Sequence, residues 1–171
     1  TVTADGYTET LTLSVRAASY SYKDYSAKSQ LTSPYIGADD APDAVRRLLT
    51  NDGGEIQWAV GGFVQPFLDS FDTPLLYGMT EYVGRSYSER STNYGYGGRT
   101  STNVVIRPKK SKDSMIVPAS GHVLLAEDLG GSYGCTVVID HGAGLRSIFY
   151  GLTALDVEAG DDVKQGQLLG T

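Results

Sequence analysis

Short apolar runs divided by glycine and aspartate fill this sequence from residue 104 onward, and they constrain its fold more than any other feature. Val104, Val105 and Ile106 make one run; Met115, Ile116 and Val117 make the next. Residues 123–126 follow Gly121, residues 136–139 follow Gly134, and residues 145–152 follow Gly144. Val157 and residues 163–169 flank Gly160, Asp161 and Asp162. Runs this brief, recurring about every 8–12 residues, are too short for helices and read as strands joined by turns. The pattern predicts a mainly β chain arranged as a compact antiparallel sandwich or barrel. With 40% apolar residues among 171, there is material for a proper core.

The amino-terminal part reads differently. Leu11, Leu13 and Val15 alternate with Thr10, Thr12 and Ser14, the period of a half-buried strand over 8–16. Residues 19–22 suggest another short strand. Residues 1–27 are therefore expected to be a strand remnant of an upstream unit or an immunoglobulin-like appendage, and residues 28–65 a linker. Within that linker, 39–52 predicts one short connecting helix. Asp39 or Asp40 serves as its cap, Pro42 sits in its first turn, and Gly53 and Gly54 stop it. Its face of Val45, Leu48 and Leu49 is expected to pack on the β core. Residues 85–102 are polar, aperiodic and rich in glycine and tyrosine, and read as a long surface loop of the kind that often binds.

Charge and chemistry-bearing residues narrow the function classes. Twenty acidic against 14 basic residues leave a net charge of −6, which argues against nonspecific binding to nucleic acid or an anionic membrane. No apolar stretch is long enough for a membrane-spanning helix. The sequence opens without Met or a secretory leader, so it is expected to begin inside a longer chain. A single Cys135 excludes an internal disulfide, and His122 and His141, the only histidines, leave little for metal or acid–base chemistry. No P-loop, dinucleotide fingerprint, H-E-x-x-H or G-x-S-x-G occurs.

The carboxy-terminal residues carry a family resemblance. V-P-A-S-G-H-V at 117–123 leads to G-C-T-V-V-I-D-H-G-A-G-L-R-S at 134–147 and I-F-Y-G-L-T at 148–153. V-E-A-G-D-D-V-K-Q-G-Q-L-L-G closes the run at 157–170. This run resembles the lysostaphin-type (LytM-like) zinc endopeptidases, which cleave peptide cross-links in bacterial peptidoglycan. Trp58, Phe63 and Pro66 resemble the segment that precedes many such domains. The resemblance implies a LytM-like antiparallel β-sandwich, swaybacked and similar in its core to lipoyl and biotinyl hybrid domains, over residues 66–171.

The resemblance also implies a dismantled metal site. Aligned through Ile106, the family's H-x-x-x-D ligand pair falls on Asn103 and Arg107, and the histidine after its "Y-x" falls on Gly151. A guanidinium carries a permanent charge and no ligating lone pair. The family's last motif, H-x-H, would lie beyond Thr171. We therefore expect no zinc, no other cofactor and no catalytic residue. What remains is a noncatalytic peptidoglycan-binding or envelope-scaffolding module, outside the membrane of a bacterium and anchored by a segment outside these residues. Its groove is expected along Arg85, Tyr94, Tyr96, Arg99, Asn103, Arg107, Lys109, His141 and Gly151, facing a stem peptide or another envelope protein. The basic residues of that groove also fit a solvated face that keeps an edge strand unpaired. Two other functions are open: an active zinc endopeptidase whose last motif lies outside this sequence, and a lipoyl- or biotinyl-like carrier, whose lysine would stand at the tip of a tight hairpin, whereas Lys164 lies beyond the Gly160, Asp161 and Asp162 turn.

Overall fold

The computed structural model describes residues 2–4, 7–9, 16–26, 28–32, 40–50, 61–68, 70–84, 98–110 and 113–171. Along the chain the strands are β1 (Val2–Ala4), β2 (Tyr7–Glu9), β3 (Tyr22–Tyr25), β4 (Phe71–Leu75), β5 (Thr80–Val83), β6 (Arg99–Thr100) and β7 (Val105–Pro108). Then come β8 (Met115–Ile116), β9 (Gly121–Asp128), β10 (Cys135–Asp140), β11 (Arg146–Leu152), β12 (Asp162–Val163) and β13 (Leu168–Gly170). One α-helix, α1 (Asp43–Leu48), and a 3₁₀ turn at Lys28–Gln30 complete the described elements. The chain is mainly β, as the punctuated apolar runs predict.

β11, β10, β9 and β12 form an antiparallel four-stranded sheet in that order. Its centre, β10, reads C-T-V-V-I-D and is buried at four consecutive positions, the signature of a strand covered on both faces. One face is apolar against Val117, Leu152, Val157, Val163 and Leu169, with Val123, Val137 and Ile139 pointing into it. The other face gathers Leu125 and Val138 under Val45 of α1, with Leu48 and Ala44 packed alongside. A bulge in β9 serves both layers: Leu125 pairs with Val138 but Val123 pairs with Ile139, so Leu124 is the extra residue. Leu124 and Leu125 thereby both turn toward the helix side, while Val123 and Ala126 face the other core.

The helix is shorter than expected and its buried stripe narrower. Pro42 is its N-cap rather than a first-turn residue, and no side chain caps it. Val45 is fully buried and Leu48 packs beside it, but Leu49 is 44% exposed, which corrects its expected place on the core face. The hydroxyl of Tyr133, from the β9–β10 turn, donates to the Asp40 carbonyl at 2.5 Å and ties the segment before the helix to the sheet. Asp39, Gly53 and Gly54 lie outside the described residues.

The remaining strands make smaller ribbons. β13 pairs with β8, and Val117 and Gln167 continue that contact through a 2.8 Å backbone bond. The segment 61–68 lies along the same region: Val64 N donates to the Pro118 carbonyl, Ile116 N to that of Pro66, and Phe67 bridges Met115. β4 pairs with β7 despite containing Pro74. β3 pairs with β5, and β5 with β6. The β3–β5 pairing is parallel, unlike the antiparallel rule elsewhere, and joins a strand from residues 1–27 to one from residues 66–171. Of the strand expected over 8–16, the described residues are Thr8 and Glu9, which belong to β2 and pair with β1, and Arg16, which lies in no strand.

Candidate functional site

β7 presents the residues aligned with the first metal motif. Asn103 sits in the bend before it, where the Ser101 hydroxyl donates to the Asn103 carbonyl at 2.7 Å and accepts from its N–H at 3.2 Å. Arg107 is exposed on β7, directly opposite Asp72 of β4. Asp72 forms its ion pair with Lys109, at 3.6 Å, between two half-exposed side chains. Such a pair contributes little to stability. Arg107, Lys109 and Lys110 thus line an exposed strand end that carries net positive charge in an acidic protein.

Arg99 does something else. Its guanidinium donates to Glu81 Oε2 from Nη2 at 2.6 Å and from Nε at 3.1 Å, and also to the Thr32 carbonyl. Glu81 is buried, and its Oε1 accepts from the Thr32 N–H at 2.9 Å and the Thr32 hydroxyl at 2.5 Å. Burial alone would raise the carboxyl's pKa, but the hydrogen bonds from Thr32 and Arg99, with that of Tyr25, outweigh it and hold Glu81 below the usual range. Arg99 is therefore an internal counter-ion, which corrects its expected place in a binding groove. Its partners lie 18 and 67 residues away in sequence, so no local spacing reveals them.

His141 is also internal. It is fully buried; Nδ1 lies 2.9 Å from the Ser120 carbonyl and Nε2 2.8 Å from the Ser147 hydroxyl. A carbonyl only accepts, so Nδ1 carries a proton and donates to Ser120, while Nε2 shares a hydrogen bond with the Ser147 hydroxyl. The Phe63 ring stands edge-on to the imidazole at 5.0 Å. Around it the D-H-G-A-G-L motif folds as a tight turn: Asp140 Oδ1 accepts the Gly142 N–H, and Gly142, Ala143 and Gly144 all take positive φ. The motif therefore locks β10 to β11, and His141 does not line a surface.

Gly151 lies near the exposed end of β11 with φ +79°. The pairing shifts register there: Val137 faces Phe149 but Cys135 faces Leu152. Beside it the Tyr150 phenol is pushed above its ordinary pKa by burial, with the neighbouring Tyr133 adding to the shift. His122, on the same sheet, places Nδ1 2.9 Å from Asp162 Oδ1. Lys164 takes the first, not the central, position of the tight 164–167 turn, closed by the Gln167 N–H on its carbonyl.

The expected groove residues are thus distributed rather than gathered. Asn103, Arg107 and Lys109 share the β7 neighbourhood, Arg99 and His141 are internal, and Gly151 sits on β11, which pairs with β10 and not with β7. Arg85, Tyr94 and Tyr96 lie outside the described residues. The resemblance sets Asn103, Arg107 and Gly151, an amide, a guanidinium and a glycine, where the family has groups that hold zinc or assist catalysis. Among the described residues, no three of His, Cys, Asp and Glu come together to hold a metal ion. Nor is any helix there long and apolar enough to cross a membrane. Sequence reasoning missed Glu81, Thr32 and Tyr133, the residues that tie distant segments together.

Residues 100–171 match the family model described as Peptidase family M23. Among solved structures, a crystal structure of a candidate M23 peptidase from Pseudomonas aeruginosa resembles the chain at 20% identity with a TM-score of 0.43. That similarity covers 75% of this chain and 48% of the other, so the chain spans about half the length of that protein. No curated protein matches.

Proposed function

With a peptidase family M23 domain at residues 100–171 as the premise, we propose that the chain is a noncatalytic module that binds peptidoglycan or scaffolds the cell envelope. It works outside the membrane of a bacterium, held there by a segment beyond these residues. A family M23 domain speaks for a peptidoglycan-related function. One observation carries the finer reading: Arg107, at the aligned position of a carboxylate ligand, is an exposed cation on β7. A guanidinium cannot ligate zinc, but it can pair with the carboxylates of a stem peptide.

The groove this reading leaves is smaller than the sequence suggests. Arg107 and Lys109 supply its charge and Asn103 an amide. Arg99 and His141 contribute nothing to it, being spent inside the fold. Because the charged groups are exposed, their pull on a ligand is screened by salt.

Two measurements test the proposal. Elemental analysis after dialysis is expected to find no stoichiometric zinc. Retention on purified cell-wall sacculi is expected to fall about threefold to tenfold in Arg107→Ala at low salt, and less at moderate salt. One zinc per chain together with cleavage of cell wall would overturn the noncatalytic reading. Unchanged retention at both salts would remove β7 as the binding strand.

A further inference from the structure

We infer that Gly151 is a positioning residue: a left-handed bulge that sets the phase of β11, docks the 129–134 turn and, through Tyr133, holds α1 on the sheet. The inference stands whether or not the domain is catalytic. It says what the position aligned with the family's histidine does in this chain.

Three observations meet at this glycine. First, the register shift makes one residue of β11 supernumerary, and Gly151, at φ +79°, has the conformation such a bulge requires. Strict alternation after Phe149 would aim Leu152 at the helix side. The bulge returns Leu152 to the face of Val137 and Ile139, where it is buried. Second, the Gly151 N–H donates to the Tyr133 carbonyl at 2.6 Å, so the bulge carries the backbone of the turn. Gly134 of that turn comes so close that a Cβ on it would stand 3.2 Å from the Gly151 Cα. Third, the Tyr133 ring lies 5.9 Å from the Tyr150 ring and its hydroxyl reaches Asp40 just before α1. From β11 to the helix, the path is continuous.

The same geometry says what a restored histidine would do. A Cβ built on Gly151 meets nothing within 4 Å among the described residues. The variant would carry left-handed strain but no clash, so it should still fold.

Hydrogen exchange of the α1 amides, at residues 44–49, separates this role from simple strain. Gly160 is the control: it has φ +97°, the same open space at Cβ, and an N–H bonded to the Val123 carbonyl rather than to the 129–134 turn. Gly151→Ala and Gly160→Ala are both expected to lower Tm by a few degrees. Only Gly151→Ala should speed α1 exchange, by about tenfold or more, and Tyr133→Phe should do the same without altering any glycine. Equal α1 exchange in Gly151→Ala and Gly160→Ala would overturn the inference. So would unchanged α1 exchange in Tyr133→Phe, which keeps the test decisive if the glycine variants do not fold.

Discussion

The four-stranded sheet and the three-stranded sheet are held by opposite means. In the first, Val123, Val137, Val138 and Ile139 are all fully buried, and each face of β10 meets an apolar layer. In the second, the residue buried most completely is Glu81, whose carboxylate receives donors from Thr32, Arg99 and Tyr25. Apolar burial is nondirectional and tolerates imperfect neighbours. A buried carboxylate is not tolerant: each oxygen must be answered or the desolvation cost stands. The two sheets should therefore fail under different insults.

The largest expected effect follows from the polar hub. Glu81→Ala leaves Arg99, three-quarters covered, without its partner, and should cost about 3–5 kcal/mol. Thermal or denaturant unfolding measures it, and a loss below about 1 kcal/mol would show that the hub does not hold the sheet. The hub also makes the contrast pH-dependent. Glu81 has a folded pKa below its ordinary 4.5, so its ionisation favours the folded state above that value. That contribution disappears as pH falls through the lowered folded value. Amide exchange in β3, β5 and β6 should accelerate on acidification before that of β9 and β10. Glu81→Gln should flatten this difference.

A comparable but pH-insensitive loss is expected from the apolar sheet. Ile139→Ala removes a fully buried side chain from the core facing Leu152 and Leu169, and should cost about 2–5 kcal/mol. The loss should be similar at pH 7 and at a pH below 4.5, the range in which the Glu81 contribution fades, as measured by urea unfolding. If it shrank with acid as the Glu81 loss does, the two sheets would not be separable.

The same difference decided what could be read from the sequence. β9, β10 and β11 are legible because burial imposes runs of apolar residues on the local sequence, and the runs at 123–126, 136–139 and 145–152 fall within or beside these strands. β5 is not, because T-E-Y-V shows a charge where a core residue is expected, and the groups that neutralise it lie 18 and 49 residues away. β4 was hidden by Pro74, which argues against a strand until β7 is seen alongside it. Of the candidate site, Arg107 is an exposed cation on β7. Arg99 and His141 were misplaced because charge and residue type reveal nothing about which partner a side chain finds. His141 in particular answers two groups, Ser120 and Ser147, that only the closed turn brings within reach.

The smallest expected effect tests where the apolar unit ends. Val45, Leu48 and Leu49 stand at helical spacing and read as one stripe, yet only the first two pack on the sheet. The physical reason lies in the last turn. The Leu49 N–H bonds to the Arg46 carbonyl at 3.2 Å, three residues back, so the chain tightens at its end. A residue added by a tighter turn is rotated away from the stripe that 3.6-residue spacing defines. Leu48→Ala should therefore cost about 1–2 kcal/mol, less than full burial because the residue is only partly covered. Leu49→Ala should lie within about 0.5 kcal/mol of the parent. Equal losses would mean that Leu49 is covered in solution and that α1 continues its stripe past Leu48. The apolar unit would then reach further into the linker than the helix itself.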